Sequence, residues 1–166
     1  MGELGKQLAS VDENLLERLQ TAYADEWFAH YNYCLVSHLV AGPSSASVAA
    51  LLRDKSEEAF ARANRLCDRI IELGATPILK LTNLVEHATD KPFKLTENLR
   101  DIEELLKAVL DAERTSLRTF AALYEATRDR DPLTNALMLS LLGEAVRGEQ
   151  QLERLLADPA PEMTGQ

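Results

Sequence analysis

The sequence predicts an all-α protein, a four-helix bundle with one long crossover that carries a short extra helix. Three observations carry this prediction. Four long stretches repeat apolar residues at steps of three and four, the period of a helix with one buried face. Gly and Pro, seven and six in 166 residues, fall mostly between those stretches. The breaks after the first and third stretches are short, and the break after the second is long. The chain therefore reads as two helical hairpins joined by a connection able to cross the length of a bundle. Residues 1–166 read as one domain, with a structured core over about residues 12–157.

The first helix is expected from about Asp12 to Ala41, with the inward stripe Leu15, Leu19, Ala22, Glu26, Ala29, Tyr33, Val36 and Val40. Gly42-Pro43 ends it, a glycine followed by a residue that cannot continue a helix. Ser44 and Ser45 offer an N-cap for the second helix. That helix runs to about Leu73 on the stripe Val48, Leu52, Lys55, Ala59, Arg62, Leu66, Ile70 and Leu73, and closes at Gly74. Residues 75–96 make the crossover, where Ile78 to Ala88 predicts the short helix and Asp90-Lys91-Pro92 breaks it. Thr96 is the expected cap of the third long helix, whose stripe is Ile102, Leu105, Val109, Glu113, Ser116, Phe120, Leu123 and Thr127. Asp131-Pro132 opens the fourth, with Pro in the first helical turn. Its stripe is Leu137 or Met138, Leu141, Ala145, Gly148, Leu152 and Leu155 to about Leu156, and Pro159 and Pro161 end it.

Composition narrows the function classes. A formal net charge of -9 argues against a nucleic-acid surface, which needs clustered Lys and Arg. No stretch approaches the ~18 apolar residues of a membrane span, and no signal peptide is recognisable at the start, so a cytoplasmic location is expected. Cys34 and Cys67 each lie eight residues beyond facing positions, 26 and 59, on antiparallel helices. At the helical rise that separates them by roughly 24 Å, too far for a disulfide, and both are expected as buried reduced thiols.

Two stripes contain a carboxylate, Glu26 in the first and Glu113 in the third. A buried carboxylate without a partner costs several kcal/mol. Two in one small bundle point to a shared metal site. The halves are also weakly symmetric: Glu26 precedes Ala59 by 33 residues and Glu113 precedes Ala145 by 32. In di-iron bundles two helices each give one Glu and the other two each give Glu-x-x-His, because residues one turn apart share a face. The histidines here are His30, His38 and His87, and none follows a Glu by three residues.

The stretches AYADEWFAHYNYCLVSHLVAGP, EEAFARANRLCDRIIELGATP, LLKAVLDAERTSLRTF and RDRDPLTNALMLSLLGEAVRGEQQLERLL resemble the ferritin-like superfamily, and within it the bacterioferritins and Dps-like ferritins. The likeness runs from about Leu15 to Leu156. It implies that Glu26 and Glu113 match the single glutamates of the first and third long helices. The first Glu-x-x-His then falls on Ala59 and Arg62, and the second on Ala145 and Gly148, so four of the six family ligands are replaced. A register shifted to Glu58 and Glu144 is the alternative. It rotates Glu58 by about 100° from the inward stripe and puts Ala61 and Arg147 where His is needed.

The resemblance with these replacements implies ferroxidase activity that is weak or absent, no catalytic residue and no resident cofactor. Any iron would be held weakly, through Glu26 and Glu113. Haem is not expected, since bacterioferritins hold it with a methionine of the second helix and Met138 lies near the start of the fourth. Arg62, always protonated, is expected to neutralise Glu26 and Glu113 in place of metal. His30 is expected to hydrogen-bond within the bundle or at a subunit contact, and Trp27, Phe28, Tyr31 and Tyr33 to pack in the core and a dimer interface. Ala59, Ala145 and Gly148 are expected to leave a dry cavity. Three functions follow: a structural subunit of a homo-oligomer, from dimer to cage, with an intact paralogue as a candidate co-assembly partner; an iron storage or detoxification protein with a degenerate site; or a binder of a small anion at Arg62.

Overall fold

The structure, a computed structural model, describes residues 13–42, 44–89 and 100–157. It contains α1 (Glu13–Leu39), α2 (Ser45–Glu72), the short α3 (Leu81–His87), α4 (Ile102–Thr127) and α5 (Pro132–Ala157). α1 packs along α2 and α4 along α5, and α1 also packs against α4 and α3. This is the expected pair of hairpins, with α3 in the crossover.

The helix ends follow from local chemistry. α2 ends in a Schellman turn: Gly74 adopts φ +85°, its N–H reaches the Ile71 carbonyl (2.9 Å) and the Ala75 N–H reaches that of Ile70 (3.1 Å). At the start of α5, Asp131 is the cap, accepting from the Thr134 N–H (3.0 Å), with Pro132 as the first helical residue. Ser44 does stand at the N-cap of α2, but its side chain makes no capping bond, and its carbonyl instead accepts from the Ser47 hydroxyl. α4 begins at Ile102, capped by the Asp101 side chain on the Glu104 N–H (2.9 Å), which corrects the expected cap at Thr96; Thr96 lies outside the described residues.

The crossover is fastened to α1 by side chains that satisfy its backbone. Gln20 donates to the Thr76 carbonyl (2.8 Å) and accepts from the Ile78 N–H (3.1 Å). Further along, Asp25 accepts from both the N–H (2.7 Å) and the hydroxyl (2.6 Å) of Thr89. Leu84 of α3 is buried in the core below.

The apolar core comes in two blocks. One joins Leu15 to Ala24 of α1 with Ala63, Leu66, Ile70, Phe120, Leu123, Met138, Leu141 and Ala145. The other joins Tyr33, Val36, Val48, Leu52, Leu105, Val109, Leu110 and Leu152. Between them lies the level of Glu26, Lys55, Arg62, Glu113 and Gly148, where the bundle interior is polar.

Candidate functional site

Each long helix contributes to this polar layer because its inward stripe passes through it. On α2, Lys55, Ala59 and Arg62 are spaced by four and three residues and share one face. α1 adds Glu26, α4 adds Glu113 and Ser116, and α5 adds Ala145 and Gly148. Glu26, Lys55, Arg62 and Glu113 are each only 1 % exposed.

Arg62 links the carboxylates. Its Nε donates to Glu26 Oε2 at 2.7 Å and its Nη2 to Glu113 Oε1 at 3.5 Å. The Ser116 hydroxyl donates to Glu26 Oε1 at 2.8 Å, so both Glu26 oxygens are bonded. Burial raises the Glu26 carboxyl above its ordinary value, opposed by the charge and hydrogen bond of Arg62. Burial alone would lower the Arg62 guanidinium, but Glu26 and Glu113 outweigh it and hold it protonated. Glu113 Oε2 is buried with no hydrogen-bond partner.

Ala59 and Ala145 are completely buried and carry no polar side-chain atom. Gly148 faces the layer without leaving the expected void. A Cβ at that position would stand 2.8 Å from Glu113 Oε2 and 2.9 Å from Lys55 Nζ, so neighbouring side chains already cover the space. Glu58 and Glu144 turn away from the layer. Glu58 is half-exposed and accepts from Lys55 (2.8 Å), while Glu144 accepts from Arg65 (2.7 Å) on the outside of the bundle. Neither carboxylate reaches the layer. No group of three or more His, Cys, Asp or Glu side chains arranged to hold a metal ion occurs among the described residues.

The histidine nearest the layer is engaged elsewhere. His30 Nδ1 lies 3.0 Å from the Ser56 carbonyl, and the Ser56 hydroxyl donates to the His30 carbonyl (3.0 Å). The pairing calls for the Nδ1–H tautomer and keeps His30 within the bundle. Its ring packs on Phe60 and edge-on to Trp27, with centroids 5.0 and 5.8 Å apart. Tyr33 is buried, Trp27 and Phe28 are partly buried, and Tyr31 is exposed. The cysteine expectation needs correcting: both thiols are free, but Cys34 is exposed and Cys67 half-buried, since each is turned off its helix's inward stripe.

Sequence reasoning missed two members of the layer. Lys55 and Ser116 both stood on inward stripes, and a polar residue at such a position is itself the signal.

Comparison with known proteins agrees with this architecture. The pattern that defines the ferritin-like domain matches residues 16–160. The chain belongs to the ferritin-like family. It is 29% identical over 144 residues to the DNA protection during starvation protein of Pyrococcus furiosus, covering 87% of this chain and 77% of that one. The bacterioferritin-related protein of Bacteroides fragilis, described as a dodecameric thioferritin, superimposes with a TM-score of 0.85 at 27% identity, covering 94% of this chain and 91% of that one. Dps of Thermosynechococcus elongatus shares the fold, with a TM-score of 0.82 at 19% identity over 92% of this chain and 96% of that one. No described helix of this ferritin-like protein is long and apolar enough to cross a membrane.

Proposed function

We propose that this chain is a structural subunit of a homo-oligomeric ferritin-like assembly, with a closed ion layer where a di-iron centre would be. The bridging of Glu26 and Glu113 by Arg62 carries this reading. The residues of the layer do not fit a di-iron centre. Two carboxylates are present, but one is already held by Arg62 and Ser116. The other polar groups are a guanidinium and an ammonium, which donate hydrogen bonds and offer a metal no lone pair. Ala59, Ala145 and Gly148 offer no ligand atom. In this reading Glu26 and Glu113 are residual family ligands, and ferroxidase activity is weak or absent.

Assembly is supported by the dodecameric relative from Bacteroides fragilis. An intact paralogue in the same shell would supply the oxidation that this chain lacks. The acidic balance, a net charge of -9, argues against nucleic acid as the partner. Arg62 is committed to two carboxylates, which disfavours it as an anchor for an exogenous anion.

The test adds Fe(II) aerobically to metal-free protein and follows both oxidation rate and bound iron. Oxidation at the buffer background without stoichiometric uptake is expected. Oxidation well above background would overturn the reading, and slow oxidation with stoichiometric uptake would favour the storage alternative. Native mass spectrometry of the same sample should report a closed oligomer, and a monomer would remove the structural-subunit role.

A further inference from the structure

Lys55 is as buried as Arg62, yet its ammonium bonds only to Glu58, a half-exposed residue one turn along the same helix. Two of its three protons are left for other partners. Across the layer, Glu113 Oε2 is a buried carboxylate oxygen with no donor. Both atoms converge on Gly148, where a Cβ would stand 2.9 Å from Lys55 Nζ and 2.8 Å from Glu113 Oε2.

We infer that Lys55 is the second fixed cation of the layer and the residue that excludes metal ions from it. The inference rests on the reading above, in which positions 59, 62, 145 and 148 are former ligand positions. Glu26 and Glu113 bring two carboxylates to the layer, Arg62 and Lys55 bring two fixed positive charges, and Glu58 stands half-exposed at its edge. Two fixed cations already inside the layer oppose the entry of a divalent cation. Lys55 also stands beside position 148, where a Cβ would lie 2.9 Å from its ammonium, so a coordinating side chain there requires the lysine to shift while its charge stays at the site. An incoming cation would meet a like charge in a site closed by two apolar blocks. Restoring the four ligand positions alone therefore leaves the site unable to bind metal while Lys55 remains.

The experiment compares two variants, using Co(II) as a redox-quiet probe read by its visible absorption. The first carries Ala59→Glu, Arg62→His, Ala145→Glu and Gly148→His, and the second adds Lys55→Leu. The expected result is no Co(II) bound with Lys55 in place and two ions per chain without it. Equal binding by both variants would overturn the role of Lys55. If neither binds Co(II) while circular dichroism shows native helix content, the assignment of the ligand positions fails, and the inference with it. A second measurement needs no rebuilt site. In the otherwise native chain, Lys55→Met, Glu113→Gln and their double variant are melted. The double variant should lose clearly less stability than the two single losses together, and strict additivity would show that Lys55 and Glu113 do not interact.

Discussion

Replacing Arg62 by Met is the sharpest probe of the ion layer, because it keeps most of the side-chain volume and removes the charge. Arg62 is 1 % exposed and bonded to Glu26 at 2.7 Å and to Glu113 at 3.5 Å. Without it, the two buried carboxylates lose the cation bonded to them, and Lys55, bonded to Glu58, is the one cation left in the layer. One of them must then take a proton in the folded state. Protonating a carboxyl of ordinary value 4.5 at pH 7 costs about 3.4 kcal/mol, within the ~3–5 kcal/mol typical of breaking a buried pair. For a chain of this size that corresponds to a melting temperature lower by about 7–14 °C. The sign with pH follows from the raised carboxyl. The folded variant binds a proton that the unfolded chain releases above its ordinary value, so the deficit grows with pH and shrinks toward acid. It should fall by about 1.4 kcal/mol per pH unit, to about 0.7 kcal/mol at pH 5. Urea unfolding of parent and variant at pH 5, 6 and 7, at matched protein concentration, measures this directly. A variant as stable as the parent at pH 7 would refute the ion layer. A deficit independent of pH would show that packing, not charge, was lost.

Three further outcomes are expected. Ser116→Ala removes the donor to Glu26 Oε1 and should cost about 1.5–3 kcal/mol by urea unfolding, with unchanged helix content. Asp131 caps α5 and accepts from Arg69 at 2.9 and 3.0 Å. Burial alone would raise its carboxyl, but bonds from the Thr134 hydroxyl and N–H and from Arg69 hold it below its ordinary value. Its contribution is therefore complete above about pH 4 and lost as the pH falls through the lowered value. Asp131→Asn should cost about 3 kcal/mol at pH 7 and make the acid limb of the stability profile shallower, measured as melting temperature from pH 2 to 7. Gly74→Ala should cost about 1–2 kcal/mol through backbone strain alone, since φ is +85° and nothing lies within 4 Å of the added methyl; a shifted urea midpoint with an unchanged slope would show it.

Much of this protein was determined by sequence alone. Stripes at steps of three and four, with breaks at Gly42, Gly74 and Asp131-Pro132, specified four long helices, the short crossover helix and their order, because helical period and chain breaks are local properties. The carboxylates at 26 and 113 stood out for the same reason: a charge on a buried stripe is visible in one dimension. Tertiary structure alone decided what those charges meet. Arg62 reaches two other helices, Ser116 closes on Glu26, and the Lys55 ammonium stands over Gly148. These pairings depend on the axial level at which four helices pack and on the rotamers of long side chains, neither of which leaves a periodic trace. The capping residue Asp101 and the exposed Cys34 were likewise settled by geometry. Periodicity placed the charges inside the bundle, and packing chose their partners.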